Sequence, residues 1–240
     1  MPHLITVAAA KGGVGKTTLA YELAAALDGV LVDLDWDAGG ATRMWGFDPT
    51  SASRAPLLDA LERGPDSDRT PRTKHRAHRP DLLPSHPDLA ASAISADLVA
   101  DCLEAWAAKW ARPAVVVDTH PGANELTDGA IAVAHLLVVP VSLGNREFAA
   151  LDAMLEDFAA YRTLLVPTMV PSVPARRQVN RLAEIADGRA RVAPPISEHR
   201  WIRRRLRRAA LVKQPNPGVN VRRAAAEYDA VADAVKEALG

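Results

Sequence analysis

The sequence predicts an α/β fold, a doubly wound and mostly parallel sheet with helices on both faces. Strand-like apolar runs alternate with helical stretches along the chain, which is typical of this fold class. Several runs are apolar almost throughout, as strands covered on both faces are. The first run also ends in a glycine-rich loop that opens a helix at residues 17–27. The predicted strands lie at residues 4–10, 30–35, 81–83, 114–118, 136–141 and 163–166.

The loop after the first strand has the composition of a phosphate-binding loop. Gly12, Gly13 and Gly15 allow backbone N–H groups to turn inward around phosphate oxygens, where a side chain would intrude. The positive end of the following helix adds to this attraction. We expect Lys16 to reach the β- and γ-phosphates of ATP, the Thr17 hydroxyl to ligate Mg²⁺ and Thr18 to contact the α-phosphate. The predicted nucleotide-binding residues of this loop are Lys11, Gly12, Gly13, Val14, Gly15, Lys16, Thr17 and Thr18.

Two later strands end in carboxylates. Asp33 and Asp35 close the second run, two residues apart. Asp118 closes the run at 114–118, which is the Walker B arrangement that places a carboxylate near Mg²⁺.

Residues 11–17, KGGVGKT, resemble the deviant Walker A box KGGxGK[ST] of the ParA/MinD family. The general phosphate loop has glycine where this chain has Ala10, followed here by Lys11. The resemblance implies that Lys11 crosses a dimer interface to the ATP of the partner subunit. A second cation there would offset the charge that develops during phosphoryl transfer. The predicted catalytic residues are Lys11, Lys16 and Asp35.

Further motifs extend the resemblance over most of the chain. Residues 33–40 are similar to the family's D-x-D-P-Q-G motif, which implies that Asp35 orients the attacking water and that Asp33 supports the metal shell, although Trp36 and Asp37 replace Pro and Gln. The family's D-[CT]-x-P matches residues 118–121, so the predicted metal set is Thr17, Asp33 and Asp118. Residues 164–170 resemble the strand that contacts adenine, which implies Pro167 and Thr168 beside the base, and 193–196 resemble the next strand.

Two polar segments interrupt the pattern within a predicted single domain of residues 1–240. Residues 64–80 are rich in Pro, Arg and His, which predicts a mobile surface loop. His75 and His78, with His86 beyond, have a spacing compatible with metal binding. We interpret them as solvated, because no cysteine or carboxylate completes a site in the sequence pattern.

Residues 198–211 predict an amphipathic basic helix. Its arginines would occupy an arc about 140° wide, opposite an apolar stripe. They are Arg200, Arg203, Arg204, Arg207 and Arg208. The surrounding residues 162–223 contain fifteen basic and three acidic residues, a net charge of +12 hidden by a total of zero. This face predicts binding to the DNA backbone without sequence reading. The alternative is a solvated face paired with acidic residues elsewhere.

Composition limits the compartment. The only cysteine is Cys102, so no internal disulfide is possible and a reducing cytoplasm fits. No signal peptide is visible, and the longest apolar stretch, residues 130–141, is too short for a membrane span. Because the first predicted strand begins by Leu4, we expect no N-terminal helix-turn-helix and no sequence-specific operator binding by this chain.

The resemblance implies a cytoplasmic, nucleoid-associated ATPase closest to the small ParA-type partition proteins. Such a protein uses ATP and Mg²⁺, forms a homodimer on ATP, binds duplex DNA non-specifically and is released when a ParB-like partner stimulates slow hydrolysis, in plasmid or chromosome segregation. Two alternatives stay open. The first is a MinD-like or protein-cargo-positioning ATPase, although residues 224–240 are acidic, rich in alanine and poorly suited to a membrane. The second is a metabolic enzyme on the same scaffold, among which the cluster-binding proteins need more cysteines than Cys102.

Overall fold

Parallel strands form the centre of the molecule. The computed structural model describes residues 2–9, 11–37, 40–49, 56–205 and 208–240, with the backbone alone for Arg203. Within them, seven strands form one sheet in the order β3-β2-β4-β1-β5-β6-β7, and every pair is parallel. The strands are β1 His3–Val7, β2 Val30–Asp33, β3 Asp81–Leu83, β4 Ala114–Asp118, β5 Leu136–Val141, β6 Thr163–Pro167 and β7 Arg191–Val192.

Helices connect the strands and cover both faces, as the sequence predicts. The α-helices are α1 Lys16–Ala26, α2 Ala41–Trp45, α3 Pro56–Arg63, α4 Ala96–Lys109, α5 Glu125–Ala132, α6 Asn145–Asp157, α7 Arg176–Ala186 and α8 Val219–Leu239. Short 3₁₀ turns are present at Pro87–Ala91, Ile202–Arg204 and Leu211–Lys213. The doubly wound fold class is confirmed.

The side chains of each strand alternate between two apolar layers. In β1, Ile5 and Val7 pack against α1 and α8, whereas Leu4 faces the layer that contains α4 and α5. In β4, Val116 joins the first layer, and its two neighbouring valines join the second. Burial on both faces explains why these strands are apolar almost throughout.

The last helix belongs to the core. The residues of α8 that face α1 and the sheet are buried; they are Ala224, Tyr228, Val231, Ala232, Val235 and Ala238. Among the described residues, no helix combines the length and apolarity that crossing a bilayer requires.

The ends of three predicted strands differ from expectation. The first strand ends at Val7, and Ala10, where we placed its end, lies outside the described residues. The second ends at Asp33, because its carboxylate accepts the Asp35 N–H at 3.1 Å and turns the chain. The regular strand predicted at 193–196 is wrong, because Pro194 and Pro195 lack N–H groups; β7 lies just before it.

The basic helix predicted at residues 198–211 is also wrong. The chain forms the two short turns at Ile202–Arg204 and Leu211–Lys213, and Leu206 and Arg207 lie outside the described residues. We call residues 198–213 the basic segment. The buried Glu22 carboxylate of α1 accepts the Leu211 N–H at 2.7 Å, a donor that a continuous helix would use internally. Contacts with α1 therefore stabilise an irregular path, and Arg200, Arg204 and Arg208 do not lie on one continuous helix.

The polar segment at 64–80 is a loop, as its composition predicts, and it contacts the C-terminal end of α4. The Lys109 ammonium donates to the Ser67 carbonyl at 3.1 Å, and the Trp110 indole donates to the Pro71 carbonyl at 3.0 Å. His75 is largely exposed, and its Nδ1 lies 2.6 Å from the Asp81 carboxylate at the start of β3. The mobility of this loop stays a prediction.

Candidate nucleotide site

Three adjacent strands bring the phosphate loop and the acidic strand ends together. Asp33 pairs in register with Asp118, and Asp118 with Val7, so the ends of β2, β4 and β1 lie side by side. The carboxyl edge of a parallel sheet is where ligands of doubly wound proteins bind. Residues far apart in the sequence thus share one site.

Backbone conformation forms the phosphate loop. Gly13 has a φ of 85° and Gly15 a φ of 88°, a left-handed region that other residues rarely adopt. A Cβ atom added at Gly12, Gly13 or Gly15 would meet no atom within 4 Å, so the loop borders open space. Helix α1 begins directly after it, at Lys16, and points its positive end into that space. Thr17 and Thr18 follow in the first turn and are half-buried.

Lys16 is a buried cation held by the acidic strand ends. Its side chain is 6% exposed, and its Nζ donates to Asp118 Oδ1 at 2.7 Å and to the Thr119 carbonyl. Asp35 Oδ2 lies 3.7 Å from the same nitrogen. The lysine that we predicted to bind phosphate therefore lies between the two carboxylates that we predicted to serve water and metal.

Asp118 has one oxygen without a partner. Among the described residues, its buried Oδ2 accepts no hydrogen bond, whereas Oδ1 is taken by Lys16. Burial raises the pKa of Asp118, and the charge of Lys16 opposes that rise. A buried carboxylate oxygen without a donor suits a hard cation or its water ligand.

Asp33 has a second role besides the predicted one. Its Oδ2 accepts the N–H and the hydroxyl of Thr42, both at 2.6 Å, and its Oδ1 accepts the Asp35 N–H. Burial raises the pKa of Asp33, and the nearby Asp118 raises it further. Asp33 thus positions the turn that carries Asp35 and the start of α2, while its support of a metal shell stays a prediction.

Trp36 and His120 form a contact that the sequence analysis missed. Their rings stack with centroids 3.9 Å apart and planes 5° apart, and Asp37 Oδ2 lies 3.4 Å from His120 Nε2. Ligand atoms of Asp35, Asp37 and His120 all lie within 4.8 Å of one another. Trp36 and Asp37, which replace the Pro and Gln of the family motif, therefore both contact His120, two residues after Asp118. The simultaneous presence of Trp, Asp and His at these two strand ends was the available signal.

The remaining predicted nucleotide-binding residues are Lys11, Pro167 and Thr168. Lys11 is exposed, and its Nζ donates to the carbonyl of Arg146, in the first turn of α6, at 3.3 Å. Pro167 and Thr168 are buried, and the Thr168 hydroxyl donates to the Val14 carbonyl at 2.8 Å. Thr168 therefore braces the phosphate loop from the end of β6, and its contact with adenine stays a prediction.

The structure describes the side chains of three of the five predicted DNA-binding arginines. Arg200 is 86% exposed and pairs with Glu198 at 3.2 Å, and Arg204 is exposed. Arg208 is exposed and reaches across to Gly46. The Arg203 side chain and the whole of Arg207 lie outside what the structure describes.

Comparison with known proteins places this site in a family. Residues 2–166 match the model of the AAA domain family. No curated protein shows a significant sequence match to the chain. A variant of McdA from Cyanothece in complex with ATP is 19% identical, with 100% of this chain and 96% of that chain covered and a TM-score of 0.77.

Two more solved structures share the fold. A putative plasmid partition protein from Borrelia burgdorferi, bound to AMPPNP, is 21% identical over 99% of both chains, with a TM-score of 0.76. A cobyrinic acid a,c-diamide synthase from Mycobacterium smegmatis, with an ATP analog and magnesium, is 23% identical over 99% of this chain and 95% of that one, with a TM-score of 0.74. The match of residues 2–166 shows that the chain belongs to the AAA domain family, and the solved structures show that it shares their fold.

Proposed function

We propose that this protein is an ATP-dependent positioning ATPase of the ParA type, cytoplasmic and nucleoid-associated, that serves plasmid or chromosome segregation. The observation that carries the proposal is the position of its two signature lysines. Lys16 is buried between Asp118 and Asp35, whereas Lys11 of the same loop is exposed. One lysine belongs to the site of its own subunit, and the other is free to reach a second subunit.

The site fits ATP and Mg²⁺. The open space beside the glycines accommodates phosphates, and Asp118 Oδ2 offers an unused acceptor to a cation. The similar structures named above contain ATP, AMPPNP, or an ATP analog with magnesium. Thr17 and Asp118, with Asp33 behind them, would hold Mg²⁺, which when bound neutralises charge on the β- and γ-phosphate oxygens.

Hydrolysis in this proposal depends on a short set of side chains. Lys16 moves from Asp118 towards the β- and γ-phosphates. Asp35 holds the attacking water, whose oxygen bonds to the γ-phosphorus as the bond to the bridging oxygen breaks, releasing ADP and phosphate. Lys11 of the partner subunit adds positive charge at the γ-phosphate. This charge offsets the negative charge that develops on the leaving oxygen.

The basic segment supports DNA binding as the output of this cycle. Arg200, Arg204 and Arg208 are exposed, and they suit the phosphate backbone of duplex DNA without sequence reading. Arg203 and Arg207 stay predicted contacts. A ParB-like centromere-binding or adaptor partner would stimulate hydrolysis and release the dimer.

Light scattering with ATP and Mg²⁺ tests the proposal. We expect a dimer for Asp35→Ala with ATP and a monomer with ADP, because this change removes the group that holds water and leaves both lysines in place. The matched variant Asp35→Ala/Lys11→Ala should stay monomeric with ATP. A wild-type chain that hydrolyses ATP as a monomer at saturating nucleotide would contradict the proposed cycle.

The MinD-like alternative has weaker support. The membrane-binding helix of that hypothesis would be α8, yet its apolar residues, including Tyr228 and Val231, are packed in the core. The metabolic alternative has one supporting observation, the shared fold with the cobyrinic acid a,c-diamide synthase. A dimer formed with ATP in the absence of any small-molecule substrate, measured by the same light scattering, would favour the positioning ATPase over that enzyme.

A further inference from the structure

Three arginines from two distant segments meet around the end of α2. Arg76 and Arg79 belong to the 64–80 loop, and their guanidinium carbons lie 5.4 Å and 5.2 Å from the centre of the Trp45 ring. Arg208 belongs to the basic segment and packs on Gly46, the residue after Trp45. We call Arg76, Arg79 and Arg208 the arginine cluster.

Specific contacts hold the arginine cluster in place. The Trp45 indole donates to the Pro80 carbonyl at 2.7 Å, and Arg79 donates to the Trp45 carbonyl. The two segments are joined by the Ala210 N–H, which donates to the His78 carbonyl at 2.7 Å. Gly46 has a φ of 91°, which favours glycine, and a Cβ atom there would displace the Arg208 guanidinium from its present position.

The cluster carries uncompensated positive charge. Arg76 and Arg79 line a cleft that Lys213 and Arg112 also line. Lys213 pairs with Asp28 at 2.7 Å, and Arg112 pairs with Asp81. Within the residues that the structure describes, no carboxylate forms an ion pair with any of the three clustered arginines. Partial burial lowers the pKa of Arg79, and the charges of Arg76 and Arg208 contribute to that lowering. Bringing like charges together costs free energy that a bound polyanion offsets.

We propose that the arginine cluster is a second contact surface for the phosphate backbone of duplex DNA, made by the 64–80 loop together with the basic segment. This inference rests on the proposed DNA binding and extends it to Arg76 and Arg79. Arg208 makes the new surface continuous with the basic segment. Guanidinium groups held on one surface, with the Trp45 ring covered beneath them, suit phosphates rather than base edges.

Salt-dependent binding to random duplex DNA, measured by fluorescence anisotropy with ATP and Mg²⁺, tests this surface. Each lost phosphate contact should flatten the log–log slope by roughly 0.9, so Arg76→Ala/Arg79→Ala should flatten it by about 1.8 for each subunit of the dimer that contacts the DNA. The matched control is Arg69→Ala/Arg72→Ala, which removes equal charge from exposed positions of the same loop. We expect the control to keep the wild-type slope, and both double variants to keep the basal ATPase rate.

Different outcomes separate the two proposals. If wild type binds DNA and both double variants keep the wild-type slope, the arginine cluster is not a contact surface. This inference is then overturned, while DNA binding stands. If wild type binds no duplex DNA even at low salt, the DNA-binding part of the proposed function fails as well. Should Arg79→Ala impair folding, the single change Arg76→Ala removes an exposed side chain, and an unchanged slope would overturn the inference equally.

Discussion

The phosphate loop and the basic segment both have clear sequence patterns, but only one adopts the predicted conformation. The conformation of the phosphate loop depends on its own glycines, at φ values of 85° and 88°, and on the strand and helix adjacent to it. The conformation of the basic segment depends on Glu22 and Tyr21 of α1, which lie far away in the sequence. A pattern is therefore a good guide where backbone geometry alone produces the structure, and a poor guide where distant partners compete with the helix.

The largest effect should follow a change in the phosphate loop. Lys16→Ala removes the buried cation, so we expect ATP affinity to fall at least about 100-fold, which corresponds to the loss of a charge-assisted phosphate contact. Lys11→Ala removes an exposed lysine of the same loop and should change ATP binding by less than about threefold, but it should abolish dimer-dependent hydrolysis. Calorimetric titration of both variants with ATP and Mg²⁺ measures this contrast. Normal ATP binding by Lys16→Ala would mean that the phosphate loop is assigned wrongly.

The next largest effect should follow a change at Glu22, whose carboxylate accepts a backbone N–H of the basic segment. Burial raises the pKa of Glu22 from 4.5 to about 7, although Arg205 and the N–H groups of Leu211 and Val212 favour its charged form. The folded chain thus holds this proton more tightly than the unfolded chain does, and the contribution of Glu22 to stability falls as pH rises from 4.5 to about 7. Glu22→Gln removes that titration.

Urea unfolding of wild type and Glu22→Gln measures this difference. The free energy of unfolding of the variant minus that of wild type should increase by on the order of 3 kcal/mol between about pH 4 and about pH 8. The exposed change Glu184→Gln serves as the charge control. Parallel pH profiles for wild type and Glu22→Gln would mean that burial does not raise the pKa of Glu22 in the folded chain.

A smaller effect should appear at the stacked pair beside the site. Trp36→Ala removes the ring that covers His120 and leaves the turn carrying Asp35 less constrained. Because small misplacements of a catalytic group are costly, we expect ATP hydrolysis to slow about tenfold, with ADP affinity almost unchanged. Trp36→Phe retains a stacking ring and should recover most of the rate. Equal rates for Trp36→Ala and wild type would limit the stack to a structural contact.

Much of the fold follows from the sequence because parallel strands covered on both faces have an unmistakable apolar composition. The runs at Asp81–Leu83, Ala114–Asp118 and Leu136–Val141 have the predicted bounds. Asp118 lies beside Asp33 because β2 and β4 are neighbours, and this meeting was predicted from the family's motifs rather than from the apolar runs.

Other features depend on contacts that no local pattern contains. The side-chain hydroxyl of Thr42 occupies Asp33, and the stack of Trp36 on His120 needs β2 and β4 to be neighbours. The arginine cluster likewise requires Trp45 to be placed between the 64–80 loop and Arg208. Each of these contacts joins segments whose proximity is a property of the sheet order.

Helix α1 links the two regions compared above. Lys16 is its first residue, and Tyr21 and Glu22 follow within two turns; they hold the Arg208 carbonyl and the Leu211 N–H. Five residues of helix rise about 7.5 Å. One short helix therefore carries both the cation of the phosphate loop and the residues that bind the backbone of the basic segment.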